Sequence, residues 1–147
     1  MLEIVCSHSK KQKIKDEFMK EFAIFILKGI SYPDIDEDSI NITKEEIDNG
    51  YVNFDDTEDG FTVDFDLPHE IAFCILDILD MGNSFQDSFT NEDIGATGKN
   101  IVEELLESFP DDIKYVHLTI EYDDGISLVG EEIIYKNGEI VSHWEEY

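Results

Sequence analysis

The stretch ISLVGEEIIYKNGEIVSHWEEY, residues 126–147, decides the fold. Asn137–Gly138 stands between two runs of alternating side chains. Asn-Gly in that setting is the strongest short signal for a two-residue hairpin, of type I′, because both central residues must take positive φ. With those two residues as the loop, Lys136 faces Glu139. Counting outward sets Glu132 opposite His143 and Glu131 opposite Trp144. Immediately upstream, DIKYVHLTIEY (112–122) alternates in the same way and joins the next strand through Asp123–Asp124–Gly125. Two consecutive hairpins make a three-stranded antiparallel meander.

A second hairpin stands earlier in the chain. In YVNFDD (51–56), Tyr51, Asn53 and Asp55 alternate with Val52 and Phe54; in FTVDFDL (61–67), Phe61, Val63, Phe65 and Leu67 alternate with Thr62, Asp64 and Asp66. Asp59–Gly60 supplies the turn, and SINIT (39–43) reads as a short preceding strand. Helical periods fill the rest. KKQKIKDEFMKEFAIFILKGI (10–30) places Ile14, Phe18, Phe22, Phe25 and Ile26 on one stripe. Ser7 or Ser9 offers a cap, Gly29 a stop, and Pro33 forbids continuation. DLPHEIAFCILDILDMG (66–82) has Pro68 in its first turn and a thin polar stripe of Glu70, Asp77 and Asp80, the mark of a central core helix. NSFQDSFTNEDIGATG (83–98) has no period and reads as a loop, and GKNIVEELLESFP (98–110) as a helix with Ile101, Leu105 and Phe109 on one face. With no repeat or linker, residues 1–147 are expected to form a single α+β domain, an antiparallel sheet packed with about three helices.

Charge is the unusual quantity. The chain of 147 residues holds 36 Asp and Glu against 10 Lys, with no arginine, for a net charge of −26. Residues 1–28 carry six lysines and four acids, net +2; residues 29–147 carry the other four lysines and 32 acids, net −28. Such a surface repels nucleic acid and anionic membrane and attracts basic proteins. Without arginine, bidentate guanidinium recognition of phosphate is excluded. Cys6 and Cys74 do not make a disulfide framework. The start MLEIVCSHSKKQK has its apolar residues before its lysines, the wrong order for a secretory signal. FAIFIL and IAFCIL are far too short to span a bilayer. A soluble, cytoplasmic protein is expected.

Asp34, Asp36, Asp38 and Glu45 match the charged positions of a calcium-binding loop. Ser39 stands where the loop's glycine belongs and Asn41 where its apolar residue belongs, while Pro33, Gly29 and Gly50 break the flanking helices. No metal or other cofactor is expected. His69–Glu70 opens a zinc-protease pattern that Phe73 ends. His117 falls on the polar face of its strand; His143 and Glu132 form either an acid–base pair or an ordinary cross-strand pair. There is no nucleophile elbow, no phosphate loop and no C-x-x-C. Cys74 reads as a core hydrophobe; Cys6, near lysines, reads as a more reactive thiol or as part of a short edge strand. No enzymatic activity is expected.

The acids cluster at 34–48, 55–59, 64–80, 103–112 and 121–125. Asp55, Asp56, Glu58 and Asp59 are placed to form a rigid anionic edge around the first hairpin, with Asp123 and Asp124 at the later turn and Phe85 and Phe89 as aromatic anchors in a polar loop. Duplex DNA carries one charge per roughly 1.7 Å of axis, a density that a protein occupying a nucleic-acid groove must imitate. In size, acidity, lack of catalytic motif and α+β pattern, the chain resembles the acidic immunity proteins of bacterial contact-dependent and other polymorphic toxin systems. That resemblance implies a monomer that binds a cognate toxin domain, often a basic nuclease, as a heterodimer and blocks it, with no direct contact to nucleic acid or membrane. Phage-encoded nucleic-acid mimics that inhibit host defence or DNA-binding proteins share the profile. A small metal-dependent enzyme or regulator using clustered carboxylates is the alternative of another class.

Overall fold

A computed structural model describes residues 1–29, 34–48, 51–65, 98–123 and 128–146. The helix read over 66–82, the loop carrying Phe85 and Phe89, and Asp124 lie outside them. Strands β1 (Leu2–Cys6), β2 (Val52–Asp56), β3 (Gly60–Phe65), β4 (Ile113–Asp123), β5 (Leu128–Lys136) and β6 (Glu139–Glu146) form one antiparallel sheet in the order β2-β3-β1-β4-β5-β6. Its C-terminal half is the meander that Asn137–Gly138 dictates, with φ of 54° and 81° at those two residues. Lys136 pairs with Glu139, Glu132 with His143 and Glu131 with Trp144, the expected register.

β1 lies in the middle of the sheet, bonded to β3 on one side and β4 on the other. Leu2, Ile4 and Cys6 are buried there, so Cys6 belongs to a central strand and not to an edge. Gly60 is required by the same insertion. Its φ is not positive; a Cβ at that position would collide with the Ile4 carbonyl of β1. The glycine expected to make the turn instead lets two strands approach.

Helices α1 (Lys11–Gly29), α2 (Glu37–Asp48) and α3 (Gly98–Ser108) accompany the sheet, and a 3-10 turn at His8–Lys10 leads into α1. Ser7 is the residue before that turn, but its hydroxyl reaches the Asp112 carbonyl at 3.4 Å and makes no cap. The apolar stripe of α1 is aromatic. Phe18 and Phe22 stack at 5.6 Å, Phe22 meets Phe65 of β3 at 5.0 Å, and Phe18 meets Phe54 of β2 edge-on at 6.1 Å. Phe18, Phe22 and Phe61 are fully buried, each contributing about 1.5–3 kcal/mol through the area it removes from water.

Residues 39–43, expected as a strand, are helical. The Asp36 carboxylate accepts the Ser39 N–H at 2.8 Å while Ser39 Oγ accepts the Asp36 N–H at 2.9 Å, a reciprocal cap that starts α2. Thr43 and Ile47 are then buried with Ile40 packed beside them, a three- and four-residue spacing that outweighs the β-branched composition. α3 begins flush on the sheet. A Cβ on Gly98 would lie 2.7 Å from Ile120 Cδ1 and 3.0 Å from Leu118 Cδ2. Ile101 and Leu105 are buried and Phe109 packs against the core, as their spacing predicts.

Candidate protein-docking surface

Directly paired residues of antiparallel strands project to the same side, so the register assigns every side chain to a face. Leu118, Ile120 and Glu131 face α3, and Phe54 and Phe65 face α1. The opposite face is set by the alternate residues. One row across the whole sheet reads Asp55, Thr62, Glu3, His117, Ile134, Val141. The next carries Asn53 with Asp64, and further along Thr119, Glu132 and His143; Glu121 and Glu145 flank Gly130 beyond it. Asp55, Asp64, Glu121, Glu132, Glu139 and Glu145 are exposed, and Val141 is 61% exposed. Strand spacing of about 4.8 Å and same-face spacing of about 6.8 Å along a strand make this a rigid anionic lattice. Its basic side chains among the described residues are few: Lys136, with the imidazoles of His117 and His143.

The histidine chemistry differs from expectation in one respect. Glu132 does lie opposite His143, but its carboxylate meets the diagonal neighbour, His117 Nε2, at 2.9 Å. His117 is half-buried and hydrogen-bonded to that carboxylate. This pair lies on the exposed face of the sheet, with Thr119 paired directly to Glu132.

No protein family, curated protein or solved structure matches the chain.

The first hairpin does not gather its acids on one edge. Asp55 projects to the open face. Asp56 turns to the other side, where Lys15 Nζ donates to it at 2.7 Å and Lys11 stands at 3.9 Å. The Lys15 hydrogen bond, with the charges of Lys15 and Lys11, holds the Asp56 carboxyl below the usual carboxylate range. Lys15 also lies 5.7 Å and 5.5 Å from the ring centroids of Phe54 and Phe61, so α1 grips the hairpin through this lysine. Glu58 and Asp59 are exposed in the loop, and the Asp59 carbonyl accepts the Cys6 N–H. Asp123 ends β4 opposite Leu128.

The carboxylates matched to a calcium loop are also dispersed. Asp34 is exposed ahead of α2, Asp36 is spent on the cap, and Asp38 and Glu45 stand on the helix. The Ser39 N–H and hydroxyl lower the Asp36 carboxyl below its ordinary value. Among the described residues no three His, Cys, Asp or Glu are grouped to hold a metal ion. Cys6 is less reactive than its lysine neighbours suggest. Burial pushes its thiol up, against the opposing pull of Lys11 and Lys15. Among the described residues no helix is long and apolar enough to cross a membrane.

Two buried acids were not anticipated. Glu131 is 2% exposed and accepts the Gly98 N–H at 2.8 Å, at the N-terminus of α3. Glu21 is 8% exposed on α1, with Glu104 of α3 and Glu17 as neighbours. The sequence did signal the first: strand alternation puts Glu131 on the same face as Ile133 and Tyr135 of β5 and its partner Trp144, the packed side.

Proposed function

We propose that this protein is an acidic protein-binding inhibitor that neutralises a basic partner by covering its active or nucleic-acid-binding surface. The observation that carries the reading is the open sheet face, where carboxylates held by the β-ladder are exposed in a near-regular array with few cations among them. Preorganised charge speeds encounter with a partner of opposite sign and selects against acidic competitors. Half-buried Ile134 and exposed Val141, side by side in the central row, add apolar contact area within the charge. An immunity protein against a nuclease-type toxin fits this profile best, with carboxylates taking the positions of phosphates.

Capture from a nuclease-treated lysate of the source cell tests the reading, washed at about 0.15 M and then about 0.5 M salt. The expected result is one basic protein retained in stoichiometric amount, whose nuclease or nucleic-acid-binding activity falls on titration with the inhibitor. Replacing Asp64, Glu121, Glu132 and Glu145 by their amides then slows association by at least about ten-fold at low salt and flattens its salt dependence. A mixture of basic proteins lost together at the higher salt would show charge without specificity and overturn the reading.

A further inference from the structure

A cleft of about 940 Å³ opens between α1, α2 and β2, on the helical side of the molecule and away from the carboxylate lattice. Met19 and Phe54 form its apolar floor, and Ile42, 58% exposed, stands on its rim. Asp38, Glu45 and Asp48 line it from α2 and Asp16 from α1, against Lys15 and Lys44. Lys15 is already engaged by Asp56 and by the faces of Phe54 and Phe61, so it adds little free positive charge. What remains is an apolar floor under a rim of four carboxylates from two helices and the single ammonium of Lys44.

We propose that this cleft receives a cationic side chain, arginine above all, from the basic partner. The inference rests on the inhibitor reading and adds a second, anchoring contact to it. The chemistry suits arginine in two ways. Its aliphatic stem suits the apolar surface of Met19 and Ile42, while its planar fork of donors suits the carboxylates of the rim. An exposed isoleucine ringed by acids offers little to a neutral or acidic occupant. Charge thus selects the partner, and the floor supplies the desolvated contact that an isolated surface charge lacks.

The probe is N-acetyl hexa-arginine amide, titrated into ¹⁵N-labelled full chain at about 0.15 M salt and followed by amide chemical shifts. Saturable shifts are expected in residues 12–19 and 38–48 and at Phe54. The double variant Asp38→Asn/Glu45→Gln weakens binding about five-fold, whereas Glu107→Gln/Asp111→Asn, with the same change of net charge, alters it by less than about two-fold. Ile42→Ser, exposed and safe for folding, weakens it as well. Equal losses in the two double variants, or shifts confined to the open sheet face, overturn the cleft and leave the basic-partner reading standing. No saturable shift anywhere overturns both.

Discussion

Two glutamates are buried against the same helix, and their surroundings treat charge in opposite ways. Glu131 reaches from β5 to the N-terminus of α3, where it accepts the Gly98 N–H that has no partner within the helix and where the positive helix end favours a carboxylate. Glu21 lies farther along α3, opposite Glu104 and beside Glu17, and Lys20 offers only partial relief. Its pKa is pushed up to about 7, first by burial and then by those like charges. Burial alone therefore does not say whether an acid supports the fold. The neighbours decide, and in so acidic a chain a carboxylate is stabilising where it meets a backbone donor or a lysine.

The largest effect expected from breaking this contrast is at Glu131. Glu131→Ala strands the Gly98 N–H and costs about 2–4 kcal/mol in denaturant unfolding. Glu131→Gln, which keeps an acceptor oxygen, recovers part of that loss. Next is Gly98→Ala: the added methyl meets Ile120, Leu118 and the Glu131 carboxylate, and overpacking costs about 1–3 kcal/mol. An unchanged midpoint in either variant would mean that α3 does not dock through this contact. The smallest effect is at Glu21 and has the opposite sign. The folded pKa of about 7 exceeds the unfolded value, so the group's contribution is fully present below about pH 4 and is lost as pH rises through 7. Glu21→Gln is accordingly more stable than the parent at pH 8, by about 1–2 kcal/mol after solvent screening, and the difference vanishes toward pH 4. A variant less stable than the parent at pH 8 would show that the carboxylate is held by partners that favour its charge.

Local rules made the meander legible. Asn137–Gly138 fixes a turn, the turn fixes a register, and the register places Glu132, His143, Glu131 and Trp144 without further information. The third helix follows from the spacing of Ile101, Leu105 and Phe109 in the same way. α2 was obscured because Ile40 and Ile42 alternate like a strand, although Ile40, Thr43 and Ile47 also fit a helix and Asp36 with Ser39 gives it a start. The position of β1 and the pairing of Lys15 with Asp56 depend on partners 41 or more residues away, which no local pattern encodes. For the candidate surface, the sequence foretold the sign of the charge but not its arrangement. Asp55 and Asp56 are neighbours in the chain, yet one joins the open face and the other is bound by lysines.

The central place of β1 also has a consequence for how the molecule assembles. Each hairpin pairs residues near in sequence, but β1 joins Leu2 to Val63 and to Leu118, the longest chain closures in the sheet. Closing such loops is slow compared with forming a hairpin. During synthesis the first strand leaves the ribosome early and waits until residue 118 has followed before both its edges are filled. Until then the edge of β1 that receives β4 stays open to other chains. In that interval the acidity of the chain keeps unfinished copies apart while the last seam of the sheet is still unsewn.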